Sequence, residues 1–71
     1  MVAVRMRILL NGEPFELPAG ESVEGLLTRL DLVGRRVAVE LNLDIVPRSQ
    51  HAETELREGD LVEVVHAIGG G

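Results

Sequence analysis

The sequence predicts a small α+β domain in which one helix packs across one face of a mixed sheet of four to five strands. Segments near both ends of the chain alternate apolar and polar residues with the two-residue period of a half-buried strand. One internal segment has the helical period instead, and turn-forming residues separate these segments. The chain has 71 residues, no cysteine and 45% hydrophobic residues, so a single aliphatic core has to stabilise it.

The first twenty residues predict a β-hairpin. Residues 2–10 have apolar side chains at alternate positions: Val4, Met6, Ile8 and Leu10. We expect these side chains to face inward. Asn11-Gly12 fits a two-residue type I′ turn, because both positions of that turn require positive φ. A return strand over Glu13–Leu17 follows and ends at Pro18, because proline cannot donate a hydrogen bond to a strand ladder.

The next segment predicts an amphipathic helix that starts after Ser22, a favourable N-cap residue. Its apolar residues recur at the i, i+3, i+4 and i+7 positions of a helical face: Val23, Leu26, Leu27 and Leu30. Gly25 within the helix costs about 1 kcal/mol relative to alanine, and we expect close approach to the sheet to be its purpose. Gly34 is a suitable stop signal.

The second half of the chain predicts two short strands and a long loop. Residues 36–41 alternate apolar and polar side chains, and a short strand follows at Ile45–Val46. Residues 48–58 are polar and irregular. We expect Ala52 and Leu56 to anchor this loop in the core.

The last strand is predicted over Leu61–Ile68. Val62 and Val64 have the parity that faces the helix, whereas the residues that face away are Glu63, Val65 and Ala67. The economical packing of one helix on such a mixed sheet is diagonal, with the first and last strands at the sheet centre. This is the β-grasp arrangement.

The sequence ends on the stretch Ile68-Gly69-Gly70-Gly71. Glycine has no Cβ, so this stretch can pass through a channel too narrow for side chains. The Gly71 carboxylate is an anion at neutral pH. We expect residues 1–68 to form the domain and residues 69–71 to form a flexible tail, with an ordinary frayed chain end as the alternative.

Charge and composition exclude several functions. Twelve acidic and seven basic residues give a net charge of −5, which argues against a nucleic-acid or anionic-membrane surface and favours a basic protein partner. The seven basic residues are all arginine, so the protein cannot form lysine-linked chains of itself. No apolar run approaches about 18 residues and no signal peptide is visible, so we expect a cytoplasmic protein.

Two sets of side chains are candidates for a site within the folded domain. His51 and His66 are far apart in the sequence and lack carboxylate or thiolate companions at ligand spacing, so we expect neither a metal site nor a catalytic site. Val65, Ala67 and Glu63 lie outward on the last strand, beside the tail, and we expect them to form a partner-binding patch. Ordinary surface and self-association are the alternatives.

Six segments carry a resemblance that covers nearly the whole chain. They are, in order, Leu10-Asn11-Gly12-Glu13, Ser22-Val23 with Leu26-Leu27, Val37-Ala38-Val39-Glu40-Leu41-Asn42, Ile45-Val46-Pro47-Arg48-Ser49, Glu58-Gly59-Asp60 and Val64-Val65-His66-Ala67-Ile68-Gly69-Gly70-Gly71. In this order and at these spacings, they resemble the thiamine-biosynthesis sulfur carriers (ThiS). The chain departs from the family at Gln50-His51, where Glu-Trp is common, and at Leu43, where a polar residue or glycine is usual.

The resemblance implies a ubiquitin-like fold and a sulfur carrier that is a co-substrate and not an enzyme. By similarity, an adenylyltransferase related to ubiquitin-activating enzymes (ThiF-like) uses ATP to adenylate the Gly71 carboxylate. Sulfur from a cysteine desulfurase then converts it to a thiocarboxylate, which donates the sulfur to thiazole synthase (ThiG-like). Gly70 carries over as the required neighbour of Gly71, with Gly69 and Ile68 as the stalk. The carrier itself is expected to bind no cofactor.

Two other functions use a comparable tail and stay open at this point. The small subunit of molybdopterin synthase (MoaD-type) is also a β-grasp sulfur carrier. Its members are usually longer, with proline before the terminal glycines where this chain has His66-Ala67-Ile68. A ubiquitin-like protein modifier would instead use the tail to form an isopeptide bond.

Overall fold

The computed structural model describes residues 4–66, which form one mixed sheet and one α-helix. The elements are β1 (Arg5–Leu10), β2 (Glu13–Pro18), α1 (Val23–Arg29), β3 (Val37–Leu41), β4 (Asp44–Val46), a 3₁₀ turn (Arg48–Gln50) and β5 (Leu61–His66). The strand order is β2-β1-β5-β3-β4. β1 and β5 are parallel, and the other neighbouring strands are antiparallel. The predicted β-grasp arrangement is therefore confirmed, with five strands and with β5 at the centre.

The first hairpin turns at Asn11 and Gly12, as predicted. Their φ values of 52° and 86° are both positive, as a type I′ turn requires. β2 continues to Pro18, which pairs with Arg5 at the edge of the sheet, where a missing N–H costs little. The expectation that Val4 faces inward is wrong: it lies before the first ladder pair of β1 and is 72% exposed.

Helix α1 begins as predicted, because the Ser22 hydroxyl oxygen accepts a hydrogen bond from the Gly25 N–H at 3.0 Å. Leu30 is the C-cap residue and not part of the helix. The expected reason for Gly25 is wrong. A Cβ at this position would collide with the Glu21 side chain, not with the sheet. Gly25 thus leaves room for the Glu21 carboxylate, which pairs with Arg29 at 2.7 Å.

The core lies between α1 and the sheet. Its buried side chains are Met6, Ile8, Leu17, Val23, Leu26, Leu27, Val39, Leu56, Val62 and Val64. The predicted anchor Leu56 is confirmed, but Ala52 is exposed and His51 is buried instead. The 3₁₀ turn that precedes His51 directs its ring inward, where Nε2 lies 3.1 Å from the Val46 carbonyl oxygen.

The β3–β4 turn has the same backbone conformation as the first hairpin, but it carries leucine where the first has glycine. Asn42 and Leu43 have φ values of 51° and 75°, and Leu43 is 79% exposed. An L-residue in the left-handed region costs about 1–2 kcal/mol. Little packing offsets this cost, because most of the Leu43 side chain lies in solvent.

We expect Leu43→Gly to raise the free energy of unfolding by about 1 kcal/mol, because glycine adopts positive φ without steric cost. Urea denaturation measures the change. The control is Gly12→Ala, where the added Cβ meets nothing within 4 Å. It introduces the backbone cost alone and should lower stability. A destabilised Leu43→Gly protein would show that leucine contributes more through contacts than it costs through strain.

Candidate functional site

The candidate site is built on β5, the strand that leads toward the C-terminal glycines. β5 lies between β1 and β3, and His66 at its end pairs with Val37, the first residue of β3. The tail predicted from the sequence lies outside the described residues; it consists of Ile68, Gly69, Gly70 and Gly71. Ala67 of the predicted patch also lies outside them. Their roles stay predictions.

The side chain of Asn11 extends the hydrogen bonding of β5 beyond the end of β1. The Asn11 N–H donates to the Val62 carbonyl oxygen at 2.9 Å, the last main-chain bond from this side. The carboxamide then takes the place of a further peptide group. Its Oδ1 accepts from the Val64 N–H at 2.9 Å, and its Nδ2 donates to the Val64 carbonyl oxygen at 3.3 Å. The strand thus stays bonded two residues further toward the tail.

Asn42 does the same at the other end of β5. Its N–H donates to the Leu61 carbonyl oxygen at 2.7 Å, and its Oδ1 accepts from the Leu61 N–H at 3.0 Å. Its Nδ2 also donates to Asp60 Oδ1 at 3.1 Å. These roles were not predicted from the sequence, because positive φ alone explains an asparagine at the first position of such a turn.

The sheet face opposite α1 carries the described part of the predicted patch. Val65 is 54% exposed and Glu63 is exposed, whereas Val62 and Val64 are buried, so the predicted parity of the last strand is confirmed. Glu63 lies directly opposite Glu40 of β3. Like charges at such positions repel. Neither glutamate forms an ion pair within residues 4–66.

Apolar side chains outside the predicted patch share this face. They are Leu9, Leu43, Ile45 and Leu61. Leu9 lies beside Leu61 in the parallel pair, and with Leu43 they line a shallow cavity of about 120 Å³ that Glu40 and Glu63 also border. The outward parity of Leu61 was the signal that could have found this surface. We call the seven residues Leu9, Glu40, Leu43, Ile45, Leu61, Glu63 and Val65 the sheet patch.

The two histidines have different environments. His51 is buried, and its Nε2 must donate to Val46, because a carbonyl oxygen only accepts. His66 is exposed at the end of β5. Within the part of the chain that the structure describes, no three histidine, aspartate or glutamate side chains are grouped so that they could hold a metal ion. None of the helical residues in that part is in a segment long and apolar enough to cross a membrane.

We expect Asn11→Gly to keep the hairpin turn but to free the end of β5, because glycine accepts positive φ and lacks the carboxamide. Loss of two hydrogen bonds, with the Val64 N–H left unpaired, should lower stability by about 1–2 kcal/mol. Hydrogen exchange followed by NMR should show faster exchange of the Val64 amide and little change at Leu61.

The matched control is Asn42→Gly, which removes the corresponding bonds at the opposite end of β5. There the Leu61 amide should exchange faster and the Val64 amide should be little affected. Equal acceleration of both amides by either substitution would contradict a local role for the two side chains.

A family model and several known proteins match this chain over most of its length. The model of the ThiS family matches residues 8–71. Sulfur carrier protein ThiS of Escherichia coli is 36% identical over 66 residues, which are 93% of this chain and 100% of that protein. The crystal structure of a thiamine biosynthesis protein (ThiS) from Geobacter metallireducens has a TM-score of 0.81 and 32% identity, covering 93% of this chain and 100% of that chain.

Two larger proteins also contain a similar segment. Thiazole synthases of Paramagnetospirillum magneticum and Magnetococcus marinus are 46% and 48% identical to this chain over 66 residues, 93% of its length. The chain spans 20% of the length of each of these proteins.

Proposed function

Because the chain belongs to the ThiS family, we propose that it is a sulfur carrier of thiamine biosynthesis whose Gly71 carboxylate becomes a thiocarboxylate. One observation carries the proposal: the central strand of the sheet is bonded on both sides and ends at His66, and the glycine stretch that the family match includes begins three residues later in the sequence. In this role the protein is a co-substrate, and partner enzymes catalyse the reactions. The full-length match to the E. coli sulfur carrier favours this role over molybdopterin synthesis or protein modification.

The chemistry follows from the poor reactivity of a carboxylate as an acyl electrophile. Adenylation of Gly71 with ATP by a ThiF-like adenylyltransferase forms an acyl adenylate and releases pyrophosphate. A persulfide sulfur supplied through a cysteine desulfurase then attacks the acyl carbon, and AMP leaves. A second thiol cleaves the resulting acyl disulfide, which releases the thiocarboxylate and leaves the two thiol sulfurs joined as a disulfide. The chain contains no lysine, so none of its own side-chain amines can intercept the acyl adenylate, because guanidinium groups stay protonated.

A ThiG-like thiazole synthase is the proposed sulfur acceptor. The thiazole synthases of two organisms contain a segment similar to this chain within one longer protein. Such a segment would hold a carrier next to the synthase, which supports the same pairing for the separate chain.

The sheet patch is the proposed docking surface for the adenylyltransferase. It combines exposed apolar side chains with two glutamates that form no ion pair among residues 4–66, so a partner with an apolar surface and a basic group complements it. Leu43 adds a further argument, because its exposed side chain is held at positive φ. Residues with strained backbone conformations cluster at functional sites. We expect Leu43→Gly to bind the partner more weakly although the domain is more stable.

The carrier role is tested by mass spectrometry after incubation with ATP, a sulfur source and the adenylyltransferase. We expect a mass increase that corresponds to one oxygen replaced by sulfur. Oxidation of Met1 or Met6 gives the same nominal shift, so the site has to be localised. Cleavage after Arg57 by trypsin releases residues 58–71, which contain no methionine.

The shift should lie on that peptide and should disappear when Gly71 is deleted. A plain Gly71 carboxylate, after incubation with an enzyme shown to be active, would contradict the carrier role.

Binding through the sheet patch is tested with Val65→Asp. We expect about tenfold weaker binding to the adenylyltransferase by calorimetry, because the new carboxylate would have to be desolvated against the apolar surface of the partner. The thermal unfolding temperature should be little changed, because Val65 is half exposed. Val4→Asp is the matched control, since Val4 is also exposed but lies outside the patch. Equal affinities of the two variants would remove the patch from the interface.

A further inference from the structure

Six of the seven arginines of this acidic protein fall into two groups. Arg5 and Arg7 pair with Glu16 at 3.7 and 3.4 Å, and Arg29 pairs with Glu21 at 2.7 Å. A second group, Arg35, Arg36 and Arg48, forms no ion pair within residues 4–66, although the chain has twelve acidic residues. We call this second group the arginine corner.

Two of the three arginines of the corner, Arg35 and Arg48, border a cleft. Arg48 Nη2 donates to the Arg35 carbonyl oxygen at 3.1 Å, which ties the 3₁₀ turn to the loop between α1 and β3. Arg35 and Arg48 line a cleft of about 240 Å³ between these segments and the end of α1. Apolar lining comes from Leu27, Leu32, Val33 and Val37. Val33 is 60% exposed, so the cleft offers both guanidinium groups and an apolar contact.

The corner lies beside His66, the last described residue of β5. Arg36 directly precedes Val37, the first residue of β3, and Val37 pairs with His66. His66 is five residues before Gly71 in the sequence. A protein that takes up the tail at Gly71 therefore approaches the arginine corner as well as the sheet patch.

We propose that the arginine corner binds an acidic segment of the adenylyltransferase and forms a second contact beside the sheet patch. This inference rests on the proposed function. Planar guanidinium groups match carboxylates in a two-pronged geometry that ammonium groups lack. The hydrogen bond from Arg48 to the Arg35 carbonyl already restricts one of these side chains, which reduces the ordering cost on binding.

Glu24 is a residue of the same cleft whose charge is opposite to that of the arginines. It also lines the cleft, and it forms no ion pair within the described part of the chain. A carboxylate there repels an acidic partner segment. Neutralising the charge of Glu24 should therefore strengthen the contact with the adenylyltransferase. Reversing the charge of an arginine in the corner should weaken the same contact.

The test measures pyrophosphate release by the adenylyltransferase at saturating ATP while the carrier concentration varies. Arg35→Glu should raise KM for the carrier about tenfold and leave kcat unchanged, because the corner contributes to docking and not to chemistry. Glu24→Gln should lower KM. The effect of Arg35→Glu should shrink as the salt concentration rises.

Arg57→Glu is the matched control. Arg57 is exposed, forms no ion pair among residues 4–66 and lines a different cavity with Val4 and Arg5, at the start of β1. The substitution changes the net charge equally, and KM should change less than twofold.

Three outcomes would overturn the proposal. Equal KM increases for Arg35→Glu and Arg57→Glu would assign the effect to net charge. A change confined to sulfur transfer in the presence of thiazole synthase would assign the corner to that enzyme. A wild-type chain that is not adenylated would end both the proposed function and this inference, whereas the first two outcomes leave the carrier role intact.

Discussion

The fold depends on hydrogen bonding along both edges of β5. This strand pairs in parallel with β1 and antiparallel with β3, and its side chains Val62 and Val64 enter the core. β1 ends at Leu10, before β5 does, and the Asn11 carboxamide supplies the bonds to Val64 that a longer β1 would have made. The strand that leads to the tail is therefore held on both sides beyond the end of its parallel neighbour.

The same strand joins stability to recognition, because alternate residues serve each purpose. Val62 and Val64 pack under α1, while Glu63 and Val65 lie on the opposite face with the exposed apolar residues. A slip of one residue in the pairing of β5 would exchange the two sets. The asparagines at its two ends oppose such a slip, because each carboxamide bonds to one particular residue of β5.

The sequence predicted the parts of this structure that local chemistry decides. Positive φ in the Asn11 turn, the Ser22 cap and the alternation of β5 need no distant contact, and all three are confirmed. The errors arose where distant or irregular contacts decide. A 3₁₀ turn moved the buried side chain from Ala52 to His51, and Gly25 proved to accommodate the Glu21 carboxylate. Composition cannot reveal such contacts. The tail and its chemistry were inferred from the sequence and its family.

Net charge alone would misdescribe how this protein meets a partner. The overall charge of −5 suggests one basic partner surface, yet β3 connects two regions of opposite sign. Arg36 precedes this strand and Glu40 lies four residues further along, a separation of about 13 Å at strand geometry. A partner that complements both signs can dock in one orientation, and the reversed orientation places like charges together. Arg36 lies beside the end of β5, because Val37 pairs with His66, whereas Glu40 lies opposite Glu63, further back along the strand. The two signs therefore follow one another along β5, and uniform negative charge could not distinguish the two ends of this strand.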